Sequence, residues 1–148
     1  MSKQNESKKH INLQKAYNLS SPEDNVDFYR NWAEDYDTDF AGGMDYILPC
    51  QVATQFIKFN GKGPVLDVGA GTGLLGIEIS KLNKIEMHAT DISEEMLSVA
   101  EKKGIYSKII VGDMTKGLPI LDNTYNGIVS SGTFTHGHIG PEALFEIT

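Results

Sequence analysis

The chain has 148 residues, of which 40% are hydrophobic and 22% are charged, and its net charge is −7. These values predict one soluble globular domain with a hydrophobic core of its own. A single arginine, Arg30, stands among the 13 basic residues. Because proteins that grip nucleic acids or anionic membranes usually present a basic surface, the composition argues against both partners and favours a small molecule.

Two further features concern the cellular compartment. No stretch approaches the ~18 consecutive apolar residues of a membrane helix, and residues 1–9 lack the apolar core of a signal peptide. The only cysteine, Cys50, cannot form an internal disulfide, and we expect its side chain to be buried as a small hydrophobic group. Together these features predict a cytoplasmic protein.

The first 61 residues divide into a tail and a helical cap. Residues 1–20 are polar and rich in Lys, Asn and Ser, which predicts a disordered tail. Residues 21–61 are predicted to form two helices, the first beginning at Ser21 and Pro22 because these residue types favour a helix start. One face of this helix carries aromatic side chains that belong either to the core or to a lid over a ligand: Tyr29, Trp32 and Tyr36. The second helix carries an apolar stripe and ends near Gly61.

The remaining residues, 62–148, begin with the most informative segment of the sequence. Val65, Leu66, Asp67 and Val68 form a nearly continuous apolar run, which is typical of a buried parallel strand. Three glycines follow at alternate positions: Gly69, Gly71 and Gly73. Glycine permits a tight turn and lets a ligand approach bare backbone. Apolar residues at helical spacing come next, so the segment reads as strand, glycine turn and helix, the opening of a nucleotide-binding α/β unit.

Further strands and helices alternate along the rest of the sequence. Three short apolar runs predict strands, at residues 85–90, 109–111 and 128–130. Between the first two of them, Ser93 and Gly104 mark the start and the end of a helix. Another helix opens at Pro141. This alternation predicts an α/β fold with a Rossmann-like, doubly wound parallel sheet.

Polar residues follow each predicted strand. The glycine segment comes after the first strand, Asp91 after the second, Asp113 after the third, and the segment around His136 after the fourth. Ligands of parallel sheets bind beyond the carboxyl ends of the strands. We therefore expect these residues to form one site.

Asp91 has two possible roles in such a site. It follows the glycines at about the spacing at which a carboxylate meets the hydroxyls of a ribose. The alternative is that it caps the next helix, but Ser93 already suits that position. The ribose role is therefore favoured.

A nicotinamide cofactor is an alternative ligand, since Gly71, Gly73 and Gly76 formally match the dinucleotide fingerprint. The register differs, because the first glycine after the strand is Gly69. Asp67 also lies within the strand, where its carboxylate suits a cation or an amino group better than a diphosphate. An NAD-dependent oxidoreductase is accordingly a distant alternative.

Residues 67–73 resemble the signature of class I S-adenosylmethionine-dependent methyltransferases, an acid followed by alternating glycines. Residues 89–93 with Met96 resemble the family's ribose and adenine segment, and residues 112–114 resemble its adenine-edge segment. Residues 29–37 resemble the Tyr-x-x-Trp-Ala-x-x-Tyr-Asp helix of many small-molecule methyltransferases. Residues 132–138 resemble those of the group around the Williams–Beuren-region methyltransferase-like protein.

The resemblance implies S-adenosyl-L-methionine as the cofactor. The three glycines would pass under its methionine part, and Asp67 would hold its amino group. The other implied cofactor residues are Asp91 at the ribose, Ile92 and Met96 beside the adenine, Asp113 and the Met114 backbone at the adenine edge, and Tyr29 with Trp32 as a cover.

The acceptor side is expected to involve Tyr36, Thr133 and His138, and His136 is the candidate catalytic base. A histidine with a pKa near 6.5 could deprotonate an acceptor hydroxyl, amine or thiol. The two histidines could instead be half of a metal site, although no other Cys or His lies near them in the sequence, or simply polar loop residues.

The resembled family has a seven-stranded sheet, whereas this sequence supplies four strands. The expected order, 3-2-1-4, leaves the fourth strand without an outer neighbour. The chain is therefore expected to be either a fragment, the first half of the domain, or a dimer that pairs across that edge. The predicted function is methyl transfer to a small-molecule acceptor, and the alternative is a non-catalytic S-adenosylmethionine-binding module that acts through a partner chain.

Overall fold

In the computed structural model of the chain, the described residues are 46–134 and 139–147 together with Ala33, Tyr36 and Asp37. The predicted tail over residues 1–20 and most of the first predicted helix lie outside these residues. The same is true of four of the candidate site residues: Tyr29, Trp32, His136 and His138.

In the described part of the chain, four parallel strands form one sheet in the order β3-β2-β1-β4, as the family resemblance implies. Their bounds are Val65–Val68 for β1, Met87–Asp91 for β2, Lys108–Val111 for β3 and Gly127–Val129 for β4. The central strand, β1, is buried along its whole length. Asp67 lies opposite Ala89 of β2 and Val129 of β4. The second strand begins two residues later than predicted, and the fourth ends one residue earlier.

Within residues 46–134 and 139–147, three α-helices and a 3-10 helix accompany the sheet. They are α1 at Leu48–Lys58, α2 at Leu74–Leu82, α3 at Glu94–Lys102 and the 3-10 helix at Pro141–Glu146. The predicted start of α3 is confirmed, because the Ser93 hydroxyl accepts a hydrogen bond from the Met96 N–H at 3.2 Å. Gly104 follows α3 with a φ of +66°, as a helix-ending glycine commonly does.

Alternate residues of β1 pack on opposite faces of the sheet. Val65 joins a cluster with residues of α1 and α2, such as Ala53 and Ile79. Leu66 and Val68 join a second cluster, built from β3, the segment between β3 and β4, and the 3-10 helix. The sheet is therefore covered on both faces, and the fold is the predicted Rossmann-like α/β architecture.

The outer edge of β4 pairs with no strand among the described residues. Ile128 is 40% exposed there, and a groove between β4 and α1 is lined in part by Val52, Phe56 and Cys50. The prediction that Cys50 is buried is wrong, since its side chain is exposed. The buried positions of α1 are instead taken by Pro49 and Ala53.

No helix in the described ranges is long and apolar enough to cross a membrane.

Candidate functional site

The three glycines after β1 all adopt left-handed backbone conformations, with φ of +66° at Gly69, +54° at Gly71 and +87° at Gly73. Such angles favour glycine, because an L side chain would strain the backbone. The Ala70 N–H bonds to the Thr90 carbonyl at 3.0 Å, which ties the loop to the end of β2. The predicted glycine turn is therefore present at the carboxyl end of the sheet.

The space beside each of these glycines differs. A Cβ on Gly69 would overlap the Thr133 side chain, and a Cβ on Gly73 would lie 2.9 Å from the Tyr106 ring. A Cβ on Gly71 would meet only the Met96 methyl, at 3.6 Å. Two of the glycines therefore make room for side chains of the protein, whereas a Cβ on Gly71 would be uncrowded among the described residues.

Asp67 is fully buried in β1, and its side chain points towards the glycine loop and α2. Its Oδ2 accepts a hydrogen bond from the Tyr106 hydroxyl at 2.6 Å. Burial raises the pKa of Asp67 to about 7; the Tyr106 hydrogen bond opposes this rise, and the neighbouring Asp91 charge adds to it. The carboxyl group is thus poised to change its charge near neutral pH.

Asp91 joins the glycine loop to the start of α3. Its Oδ2 accepts from the Gly71 N–H at 2.8 Å, and its Oδ1 accepts from the Ser93 N–H at 3.0 Å. Burial raises its pKa, and these backbone donors oppose the rise. This geometry is compatible with both roles considered for Asp91, helix capping and ribose binding, since each oxygen retains a second lone pair for a ligand hydroxyl.

Asp113 follows β3 and is held by its own turn. Its Oδ1 accepts from the Thr115 N–H at 2.9 Å and from the Thr115 hydroxyl at 2.6 Å, and Lys116 lies 3.0 Å from Oδ2. Burial favours the neutral acid, but the bonds from Thr115 and Lys116 outweigh it and lower the pKa of Asp113. Next to it, Met114 is buried in the second core cluster.

Within the described residues, two buried side-chain oxygens have neither a hydrogen-bond nor an ion-pair partner: Asp67 Oδ1 and Thr90 Oγ1. Both lie at the carboxyl ends of neighbouring strands, β1 and β2. Buried polar atoms in proteins are nearly always hydrogen-bonded. Their coincidence at one edge of the sheet, beside the glycine loop, is typical of a site for a polar ligand.

The other predicted residues with described positions surround the same edge. Ile92 is half-buried and Met96 is buried at the start of α3. The Thr133 hydroxyl lies 3.2 Å from the carbonyls of Val68 and Gly69, which brings the end of β4 to the loop. Tyr36 is half-buried.

A polar contact that sequence reasoning missed joins the N-terminal cap to the glycine loop. Asp37 accepts hydrogen bonds from the Thr72 hydroxyl and from Lys103, and Lys103 also donates to the Thr72 carbonyl at 2.6 Å. Asp37 ends the resembled Tyr-Asp motif, which is a signal for its importance. Lys103 and Tyr106 carried no local sequence signal for a place in the site.

In the described part of the chain, no group of three or more His, Cys, Asp or Glu side chains could hold a metal ion.

The fold and the site can be compared with known proteins. The family model described as "Methyltransferase domain" matches residues 65–147, more than half of the chain. Methyltransferase-like protein 27 from Homo sapiens is 28% identical over 138 residues, which cover 89% of this chain and 56% of that protein. The 18S rRNA (guanine-N(7))-methyltransferase bud23 from Schizosaccharomyces pombe is 32% identical over 79 residues, 53% of this chain and 29% of that protein.

Solved structures give a consistent result. A candidate S-adenosyl-L-methionine-dependent methyltransferase from Methanococcus maripaludis is similar with a TM-score of 0.64 and 28% identity, over 82% of this chain and 57% of that one. The DhpI–SAH complex is similar with a TM-score of 0.57 and 26% identity, over 71% of this chain and 50% of that one. The chain thus spans little more than half the length of such relatives. With its parallel sheet, its glycine loop and these matches, the chain belongs to the methyltransferase-domain family of class I S-adenosylmethionine-dependent methyltransferases.

Proposed function

We propose that this chain binds S-adenosylmethionine at the carboxyl ends of β1, β2 and β3, and that it is the cofactor-binding part of an enzyme that methylates a small molecule. The observation that carries the proposal is the buried Asp67 carboxylate. Its Oδ1 has no partner among the described residues, and it lies next to the glycine loop, where a Cβ on Gly71 would be uncrowded by described residues. An ammonium group would satisfy this oxygen and compensate its charge.

The charge of the site supports a cationic ligand. Asp67, Asp91 and Asp113 place three carboxyl groups at the ends of three adjacent strands. A sulfonium compound with an amino group would be attracted to them, whereas a diphosphate would be repelled. The same charges therefore count against the NAD-dependent alternative.

The proposed roles of individual residues follow from their positions. Asp67 would accept from the amino group, and Gly71 would let the methionine part lie against the loop. Asp91, held by the Gly71 and Ser93 backbone, would accept from the ribose hydroxyls. The remaining cofactor residues proposed from the family resemblance are Gly69, Gly73, Ile92, Met96, Asp113, Met114, Tyr29 and Trp32.

When bound, the cofactor supplies an electrophilic methyl group on sulfur for in-line displacement. The chain itself contributes alignment of the two reactants and exclusion of water. A base is needed only where the acceptor carries a proton, and His136 is the proposed base, with Tyr36, Thr133 and His138 towards the acceptor.

The acceptor is proposed to be a small molecule. The bud23 relative is by name an rRNA methyltransferase, which makes RNA the competing acceptor. A net charge of −7 with a single arginine disfavours the phosphate contacts on which RNA binding depends.

Binding can be tested by calorimetric titration with S-adenosylhomocysteine, using Gly71→Ala and Gly104→Ala as matched variants. Both glycines have positive φ, +54° and +66°, and neither has a crowded neighbour within 3.4 Å, so both substitutions should strain the fold similarly. Only Gly71→Ala places a methyl group where the ligand is proposed to lie. We expect it to weaken binding at least about tenfold, while Gly104→Ala binds like the wild type. Absence of heat with folded wild-type chain would contradict the proposal.

The acceptor class can be tested with methyl-tritiated S-adenosylmethionine, by incubating the full-length protein with a metabolite extract and, separately, with total RNA. Label in the metabolite fraction is the expected result. Label in RNA would overturn the small-molecule acceptor. Tight cofactor binding with no label in either fraction would favour the non-catalytic module.

A further inference from the structure

We propose that Tyr106 is a positioning residue for the cofactor: its hydroxyl holds Asp67 Oδ2, so that Oδ1 faces the ligand's amino group. This inference rests on the proposed function, because it assigns a ligand to Oδ1. Tyr106 lies between α3 and β3, outside every motif that identified the family. It does not itself touch the ligand in this proposal but acts through Asp67.

The hydrogen bond joins two groups that the fold brings together over long range. The Tyr106 hydroxyl donates to Asp67 Oδ2 at 2.6 Å, a length typical of a strong bond to an ionised oxygen. A carboxylate with one oxygen fixed in this way cannot rotate freely about its last bond. The other oxygen is consequently fixed as well, and it is the one without a partner among the described residues.

The glycines of the loop and of α2 explain how Tyr106 reaches Asp67. A Cβ on Gly76 would overlap the Tyr106 hydroxyl, and a Cβ on Gly73 would lie 2.9 Å from its ring. The ring also packs against the cluster that contains Val65 and against a further small cluster formed by Ala70, Ala89 and Leu97. Gly73 and Gly76, which formally complete a dinucleotide fingerprint, are therefore needed to leave room for the Tyr106 side chain.

The arrangement couples ligand binding to one proton. The titratable groups that face Asp67 are Tyr106, from the segment after α3, and Asp91, from the end of β2. Tyr106 stays neutral, because burial and the Asp67 charge both raise its pKa. Burial raises the pKa of Asp67 to about 7 and so favours its neutral form, whereas an ammonium group favours its ionised form. Binding should therefore strengthen as the pH rises through about 7 and should release up to about one proton.

The test compares Tyr106→Phe with Tyr125→Phe in the full chain. Phenylalanine keeps the ring and removes the hydroxyl in both. Tyr125 is the matched control, because its hydroxyl also bonds a side chain, His88 Nδ1 at 2.8 Å, on the opposite face of the sheet. The first measurement is the carboxyl ¹³C titration of Asp67 by NMR without ligand. In Tyr106→Phe the titration midpoint should rise by about one pH unit, and in Tyr125→Phe it should not move.

The second measurement is calorimetry with S-adenosylhomocysteine in buffers of different ionisation enthalpy, from pH 6 to 8. We expect Tyr106→Phe to bind roughly tenfold more weakly at pH 7, with the binding profile displaced towards higher pH. Tyr125→Phe should match the wild type. A merely structural role for Tyr106 would lower stability, and the lost hydrogen bond would still raise the Asp67 midpoint, but the binding profile would not be displaced.

The outcomes separate the two proposals. If the wild-type chain binds the ligand but Tyr106→Phe leaves the Asp67 midpoint and the affinity unchanged, the positioning role is overturned and the proposed function stands. If the Asp67 midpoint rises in Tyr106→Phe but the affinity profile is unaffected, Asp67 is not the ammonium partner, and the inference is overturned as well. If the wild type binds no ligand, the proposed function itself fails.

Discussion

The ends of β1 and β3 present a carboxyl group at the same edge of one sheet, yet the two groups are held in opposite ways. Asp67 bonds to a tyrosine from a distant part of the sequence, and its pKa is raised to about 7 by burial. Asp113 bonds to Thr115 and pairs with Lys116 in its own turn, and its pKa is lowered.

This difference shows that the loop after β1 depends on tertiary contacts, whereas the turn after β3 depends on local ones. The loop after β1 is fixed by side chains that arrive from other elements: Thr133, Tyr106, Asp37 and Lys103. The turn after β3 is satisfied by residues two and three positions away. Substitutions at the β1 end should consequently cost far more than equivalent substitutions at the β3 end.

The largest difference in the free energy of unfolding is expected between Gly69→Ala and Gly112→Ala. Alanine at position 69 meets a φ of +66° and overlaps Thr133, so we expect a loss of about 3 kcal/mol in the free energy of unfolding. Gly112 lacks a left-handed φ, and the nearest atom is the end of the flexible Leu118 side chain at 2.8 Å. Its alanine variant should lose less than about 1 kcal/mol. Urea denaturation at neutral pH measures both.

Gly104→Ala separates the two causes of destabilisation in Gly69→Ala, which are backbone strain and overlap with Thr133. It has the same φ of +66° but no atom within 4 Å of the added methyl group. Its cost should be about 1 kcal/mol, the strain of the backbone alone. Equal losses for Gly69→Ala and Gly104→Ala would mean that the Thr133 contact contributes nothing.

The second difference concerns the pH dependence of stability in Asp67→Asn and Asp113→Asn. Between pH 3.8 and about 7, the folded chain binds more protons at Asp67 than the unfolded chain does, so this residue makes stability fall as the pH rises. Asp67→Asn should flatten that decline and be more stable than the wild type at pH 8, by roughly 1–3 kcal/mol.

Asp113 has the opposite sign. Its lowered pKa stabilises the fold above the unfolded value of 3.8, and this contribution is lost as the pH falls through the folded pKa. Asp113→Asn should therefore be less stable than the wild type at pH 7, by less than about 1 kcal/mol. Denaturant midpoints from about pH 4 to 8 measure both variants. A shared direction of change at pH 8 would contradict the assignment of opposite pKa shifts.

The same contrast explains how much the sequence could predict. Features with local signals were predicted well: β1 from its apolar run, and α3 from Ser93 and Gly104. The glycine turn was also predicted, but the sequence could not reveal that Gly69 and Gly73 accommodate Thr133 and Tyr106, because those contacts join residues far apart in the chain. The expected roles of the residues outside the described ranges, His136 among them, stay predictions.

Cys50 illustrates a different limit. Its apolar neighbours suggested burial, but helix geometry lets only some positions of α1 face the sheet, and Pro49 and Ala53 take them. The order of the strands was predicted from the family resemblance rather than from any local pattern. Topology is a property of the whole sheet, and no single segment carries it.

The smallest difference in the free energy of unfolding is expected between Lys103→Ala and Lys116→Ala. These variants remove one ion pair near the β1 end and one near the β3 end. Lys103 is 19% exposed and also donates to the Thr72 carbonyl, so its loss removes the ion-pair partner of Asp37 Oδ2 and one donor to that carbonyl. We expect a cost of roughly 1–1.5 kcal/mol. Lys116 is 74% exposed and pairs with a residue three positions away, and its loss should cost about 0.3 kcal/mol. Urea denaturation resolves the two.

Combining Lys103→Ala with Asp37→Asn identifies why Lys103→Ala should cost more stability than Lys116→Ala. If the ion pair between Asp37 and Lys103 accounts for this cost, the double variant should lose less than the sum of the single losses, because the second substitution removes a charge already left unpaired. Additive losses would assign the effect of Lys103 to its Thr72 bond and to helix packing. Since Asp37 belongs to the cap and Thr72 to the loop, a non-additive result would also mean that the cap stabilises the β1 end before any ligand binds.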